Sequence, residues 1–466
     1  MNQQSSRRIF LKQAALVSAG MAGLWQCTLP GKPTSEDAGF GKLKPDPDNY
    51  LDLPEGFTYK IIARAGTPMT DGFVVPGRPD GMGAFQGTAG KVILVCNHEN
   101  NPEPFNLGPF GARNELLNKF DPGLLYETGN LEKPGLGGTS TLIYNENSGE
   151  VETHYLSLAG TFRNCAGGVT PWGSWLTCEE DVTPVQPGVT KNHGYVFEVP
   201  AAEDIQIADP KPITAMGRFN HEAVCVDPAT GIVYQTEDRH DGLLYRLIPN
   251  EKENLHKGGR LQALVLMDKK RADTRNWEDT TMALNQSFAV EWIDVEDVHA
   301  PNDDLRYQGF EKGAARFARG EGMWFGDKEL YFACTSGGPD HLGQVFRYIP
   351  STHEGTAKEK KDPGKLILFA ESNDQASLES CDNLTIAPWG DIIICEDGDG
   401  RNYIRGITPT GKFYNLALNK KSNSELAGVV FSPSGKTLFV NMQVEGHTIA
   451  ITGPWKEKSF WDILFS

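Results

Sequence analysis

Three places in the chain set an acid or a thiol at the start of one apolar run and an acid at the end of the next. Cys165, Glu222 and Asp382 lie at the starts, and Glu179, Glu237 and Glu396 at the ends. Counted outward from the turn between the runs, Cys165 falls opposite Glu179, Glu222 opposite Glu237 and Asp382 opposite Glu396. Side chains opposed on one sheet face have Cβ atoms about 5 Å apart, and like charges so placed repel. A chain that repeats the arrangement therefore calls for a cation between the carboxylates, and a metal cluster is the simplest candidate.

The acids available at these strand ends extend to Glu99, Glu180, Asp238, Glu321 and Asp397, with Asn383 beside Asp382. Hard oxygen donors suit Ca²⁺, Mg²⁺ or Fe³⁺, and one thiolate, Cys165, biases part of such a cluster toward a transition metal. A single ion could not use them all. Arg319 stands two residues before Glu321 and so shares its strand face. Two roles are open to it: gripping two oxygens of a phosphate or carboxylate, or pairing with a neighbouring acid. His98 and His221 directly precede Glu99 and Glu222, so they face the other way and read as structural. G-x-S-x-G, Walker and H-E-x-x-H signatures are absent, which leaves serine hydrolase, nucleotide-loop and zincin readings without local support. Residues 396–400, Glu-Asp-Gly-Asp-Gly, lack the spacing of an EF-hand loop.

The elements that position these residues are six similar hairpins, at residues 81–99, 164–181, 220–238, 320–336, 382–398 and 426–443. Pro171-Trp172-Gly173, Pro388-Trp389-Gly390 and Pro433-Ser434-Gly435 supply a φ-fixing proline and a glycine to close the bend. Polar residues recur at one end of all six. A β-sandwich leaves that unexplained, whereas a propeller gathers the inner strand ends around a central funnel. The expected fold is all-β, a six-bladed β-propeller with long insertions between blades. Residues 51–466 would form one catalytic domain, after a flexible linker over residues 28–50.

Residues 1–27 read as a twin-arginine export signal: Ser-Arg-Arg-Ile-Phe-Leu-Lys at residues 6–12 precedes a short apolar stretch. Whether Cys27 is lipidated stays open, and with it a membrane anchor. Seven further cysteines cannot all pair internally. Sixty-one acidic against 44 basic residues give a net charge of −17, which argues against nucleic acid as a partner.

Residues 164–181 (NCAGGVTPWGSWLTCEED) and 382–398 (DNLTIAPWGDIIICEDG), with GRFNHEAV, ARGEGMWF and AGVVFSPSGKTLFVN in the same order, make the chain resemble the PhoX-type alkaline phosphatases. The resemblance implies a propeller funnel holding two ferric ions bridged by a cysteine thiolate, several calcium ions and a bridging oxo group or hydroxide. It further implies hydrolysis of small phosphoester substrates in the periplasm or outside the cell, after passage through the Tat machinery. By the same resemblance Cys165 matches the bridging thiolate. Glu179, Glu222, Glu321, Asp382, Asn383 and Glu396 match ligand-bearing segments, and Arg319 the phosphate-binding arginine. Gly320 stands where the family often has proline. The alternatives are a divergent propeller hydrolase, a diesterase or lactonase-like, and a non-catalytic calcium-binding propeller.

Overall fold

A computed structural model describes residues 38–457 apart from 102 and 104–106. The export motif, Cys27 and linker residues 28–37 lie outside the described residues. All six hairpins form, each from two antiparallel strands: Pro79–Gln86 with Lys91–His98, Asn164–Val169 with Ser174–Glu179, and His221–Val226 with Val233–Glu237. Gly320–Phe325 pairs with Leu330–Cys334, Cys381–Ile386 with Ile392–Glu396, and Leu426–Phe431 with Thr437–Met442. Gly173, Gly390 and Gly435 take φ of 85°, 94° and 73°, the left-handed conformation their turns require.

The fold is all-β with a β-propeller arrangement. The first strands of the hairpins touch in chain order, from Pro79–Gln86 through to Leu426–Phe431, and the last returns to the first. Their approach is close enough to demand glycine. A Cβ on Gly168 would lie 2.0 Å from the Val224 carbonyl oxygen, and one on Gly322 2.6 Å from the Asn383 Cα. Outer strands complete each sheet, and apolar clusters between neighbouring sheets form the core. The ring is closed by pairing the early strand Thr58–Arg64 with the late strand His447–Thr452 in one sheet.

The sheets do not separate as six independent units. Strand Ser287–Asp294 pairs with Gly259–Leu266 on one side and Lys365–Glu371 on the other, joining the third and fourth hairpins into one ten-stranded sheet. The other four sheets have six, four, four and three strands. Residues 38–50, expected as part of a flexible linker, are tied to the body. Phe40 packs edge-on against Phe57, Trp389 and Trp455, and Leu43–Lys44 pairs with Leu53 and Pro54. Burial of the Phe40 ring supplies the anchor that composition alone hides.

Every hairpin carries the same irregularity. Between Asn164↔Glu179 and Gly167↔Thr177 the first strand advances three residues while its partner advances two. The same count recurs after Pro79, His221, Gly320, Cys381 and Ala427. This is a β-bulge, one extra residue on the inner strand that bends it and re-aims its side chains.

Candidate metal centre and active site

The bulged ends converge on a cavity of about 370 Å³. Five inner strands each contribute the residue two places before the bulge closes: Asp80, Cys165, Glu222, Glu321 and Asp382. Their partner strands contribute the residue just past the last pair: Glu99, Glu180, Asp238, Thr335 and Asp397. In the sixth hairpin Gly428 holds the first of these positions, and Glu425 and Gln443 reach the cavity instead.

The bulge corrects the register read from the sequence. Glu179 pairs with Asn164, Glu237 with His221 and Glu396 with Cys381, one residue away from the partners expected by counting from the turn. A one-residue slip sends a side chain to the opposite face. Glu179, Glu237 and Glu396 therefore turn out of the funnel and are spent on backbone and side-chain donors. Glu179 accepts from Phe162 N at 2.9 Å, His193 Nδ1 at 2.6 Å and Gly194 N at 2.9 Å. Glu237 accepts from Leu243 N and the Tyr245 hydroxyl, and burial pushes its carboxyl up to about 7 against the pull of Arg306. Glu396 accepts from Glu379 N, Tyr403 N and Arg405 Nε. Their neighbours Glu180, Asp238 and Asp397 occupy the funnel positions.

Cys165, Glu222, Glu321, Asp382 and Arg319 do line the cavity. Asn383 sits in the throat below it, with Gly322 and Trp324, where its Nδ2 donates to Asp382 Oδ1 at 2.9 Å and orients that carboxylate. His98 donates from Nδ1 to Gly77 O and meets Ser140 Oγ through Nε2, and His221 Nε2 donates to Gly217 O, both away from the funnel.

Ligand atoms gather in three sets, each within 4.8 Å of one another: Cys165, Glu180 and Glu222; Glu222, Glu321 and Asp382; and Asp80, Glu99 and Glu425. Burial first, and then mutual repulsion, pushes the carboxyls of Asp80, Glu180, Glu222, Glu321 and Glu425 well above their usual range. Asp382 is pushed up to about 8 for the same reasons. The Cys165 thiol rises through burial and then through Glu222 and Glu180. A bound cation inverts this logic, because it stabilises the ionised form of every donor at once. The crowding of buried acids and one thiol is thus what a polynuclear metal site needs.

Three guanidinium groups flank the acids. Arg78, Arg163 and Arg319 adopt φ of 46°, 44° and 56°, a left-handed conformation that costs a non-glycine residue on the order of 1–3 kcal/mol. Each stands two residues before a funnel donor. Arg163 bridges Glu99 and Glu180, both at 2.6 Å, and Arg78 reaches Glu99 at 2.5 Å. Arg319 grips Asp238 through Nε and a terminal nitrogen at 2.7 Å each and lies 3.1 Å from Glu321. Each keeps about a third of its side chain exposed. Reading Arg319 alone missed Arg78, Arg163, Asp80 and Glu425. Aligning Arg-Pro-Asp-Gly (78–81), Arg-Asn-Cys-Ala (163–166) and Arg-Gly-Glu-Gly (319–322) would have exposed the first three.

The family model for alkaline phosphatase PhoX matches residues 38–150 and 138–446, nearly all of the described chain. The chain belongs to the PhoX family of alkaline phosphatases. It is therefore a phosphoric monoester hydrolase. No curated protein matches the chain. Among solved structures it is similar to a gluconolactonase from Xanthomonas campestris (13% identity over 89% of this chain and 98% of that one, TM-score 0.38). It is also similar to virginiamycin B lyase from Staphylococcus aureus (10%, 85% and 99%, TM-score 0.38). A third is the β-propeller domain of Cps50 (Swd1) from Myceliophteria thermophila (9%, 85% and 100%, TM-score 0.41). Likenesses this shallow carry no argument about the PhoX site.

Proposed function

We propose that this PhoX-family chain hydrolyses phosphomonoesters at the funnel, with Fe³⁺ held by Cys165, Glu180 and Glu222 and Ca²⁺ by the all-oxygen sets. The observation that carries the reading is the gathering, from equivalent positions of five strands, of one thiol and several carboxylates within ligand reach, beside three arginines. The donor chemistry fits. Cys165 is the thiol in the cavity, which favours a transition metal at its set, while Asp80, Glu99 and Glu425 offer only hard oxygen. Glu222 belongs to two sets and would couple their occupancy.

Bound ions would polarise phosphoryl oxygens and offset the charge that builds in an in-line displacement. The chain's own part is positioning and charge. Arg319, released from Asp238, can present its fork to two phosphoryl oxygens, a geometry guanidinium suits better than ammonium. Asn383 holds Asp382 in place through a hydrogen bond from outside the cavity. The walls supply carboxylates already in position, so little reorganisation accompanies the reaction.

A six-bladed arrangement is part of this reading. It is supported by the ring of six first strands and their shared bulge, with the ten-stranded sheet taken as two blades joined at their outer edges. Export through the Tat machinery to the periplasm, with or without a lipid anchor at Cys27, is proposed from residues 6–12 and 27. The test is elemental analysis of exported protein beside a phosphomonoesterase assay with and without added Ca²⁺. Bound iron with calcium-dependent turnover is expected, and Cys165→Ala should lose both the thiolate-to-iron absorption and activity. Full turnover in that variant would overturn the cluster assignment.

A further inference from the structure

Two of the three acids that turn away from the funnel, Glu179 and Glu396, share a task. In four of the six hairpins the residue at the end of the second strand engages the backbone of the residue that precedes a left-handed position. Glu179 accepts from Phe162 N, just before Arg163, and Glu396 from Glu379 N, just before Ser380, which has φ of 49°. His98 meets Gly77 O, just before Arg78, and Cys334 is hydrogen-bonded to the Ala318 backbone, just before Arg319. The left-handed residue's own carbonyl then accepts from the funnel residue of the second strand: Glu99 N to Arg78 O, Glu180 N to Arg163 O, Thr335 N to Arg319 O and Asp397 N to Ser380 O, at 2.9–3.0 Å. Arg163 N and Arg319 N are in turn held by Asn100 O and Arg239 O, from the loop of the preceding hairpin.

The latch at Arg163 is the most elaborate. One oxygen of Glu179 takes Phe162 N and His193 Nδ1, and the other takes Gly194 N at 2.9 Å and Tyr195 N at 3.3 Å. The His193 ring stacks on Phe162, centroids 3.7 Å apart and planes 3° from parallel. Its Nε2 points at Glu127 from 3.8 Å, an ion-pair distance too long for a hydrogen bond. Glu179, His193 and Glu127 are buried outside the cavity, so none of them touches a molecule in the funnel.

We infer that Glu179 and His193 are positioning residues that hold Phe162 and thereby aim the Arg163 guanidinium, and that Arg163 binds the substrate phosphoryl group alongside Arg319. The inference rests on the funnel being the phosphatase site. Arg163 is suited to the role by its partial exposure and by its fork, which already spans two carboxylates in different hairpins. A left-handed arginine stays where it is only while its surroundings over-determine it, and Glu179 supplies that constraint from behind.

The test is a double-mutant cycle read by KM for a phosphomonoester and by the inhibition constant of inorganic phosphate, on metal-loaded protein. Arg163→Ala should raise both constants about tenfold or more. Glu179→Gln, which turns an acceptor oxygen into a donor facing donors, should raise both in the parent chain and change neither further once Arg163 is alanine. His193→Phe keeps the ring on Phe162 but removes the donor, and offers the same reading if Glu179→Gln does not fold. His193→Asn restores a donor near the Nδ1 position and should recover most of the loss. A fall in kcat alone with both constants unchanged, equal fold-losses in the two backgrounds, or unaltered constants in Arg163→Ala would each overturn the inference. A parent protein that neither binds phosphate nor hydrolyses the ester would overturn the funnel reading itself.

Discussion

At the scale of residues, the site depends on which of two adjacent acids faces inward. Glu179 and Glu180 differ by one position, yet one anchors a buried histidine and the other lines the cavity with Cys165 and Glu222. The two pairs Glu237–Asp238 and Glu396–Asp397 divide in the same way. The histidine yields a pH prediction. Burial opposes its charge, but Glu179 and Glu127 prevail and raise His193 from 6.5 to about 9. A folded pKa above the unfolded one contributes stability that is complete below about 6.5 and lost as pH rises through about 9. The contribution is on the order of 3 kcal/mol at neutral or lower pH. The Tm difference between the parent and His193→Phe should therefore be largest near pH 6 and shrink toward pH 10, measured by calorimetry on metal-loaded protein. A difference that does not change with pH would mean that His193 is neutral in the fold.

At the scale of elements, the inner strands bring the cavity acids Glu222, Glu321 and Asp382 within 4.8 Å of one another because their backbones almost touch. Gly322 lies where a Cβ would meet Asn383 Cα at 2.6 Å, Leu384 N at 2.7 Å and Asp382 O at 2.8 Å. All three are backbone atoms, which cannot rotate away. Gly322→Ala should push Gly320–Phe325 off Cys381–Ile386 and part Glu321 from Asp382. We expect destabilisation of about 1–3 kcal/mol by overpacking, together with reduced metal content in elemental analysis. Normal metal loading at unchanged Tm would show that the two strands can separate without disturbing the site. The six hairpins themselves were legible in the sequence from their turns and apolar runs. The bulge was not, because an extra residue in a run of small and apolar residues leaves no compositional mark. Its effect is nevertheless to exchange the inward and outward faces of every residue beyond it.

At the scale of the molecule, closure of the ring gathers donors from hairpins that span residues 80 to 443 into a single cavity. Without ions, that cavity is a concentration of buried acids whose mutual repulsion opposes the fold. Chelation should lower Tm by several degrees and Ca²⁺ should restore it, since a ligand bound only to the folded chain stabilises it by mass action. A Tm insensitive to both would mean that the carboxylates stand together without a metal.

The sequence by itself determined the repeat and the family. Cys165, Glu222, Glu321 and Asp382 were identifiable as residues of one cavity and Arg319 as their cationic neighbour, because residue type and spacing within a hairpin are local properties. The family likeness followed from motifs of the same short range. Only the tertiary structure decided which member of each acidic pair enters the funnel, that Glu425 joins it, and that Phe40 anchors residues before the first long strand. The physical reason is common to all three. Facing is set by the bulge, convergence by the closing of the ring, and burial by contacts between segments hundreds of residues apart, none of which is written in any one stretch of the chain.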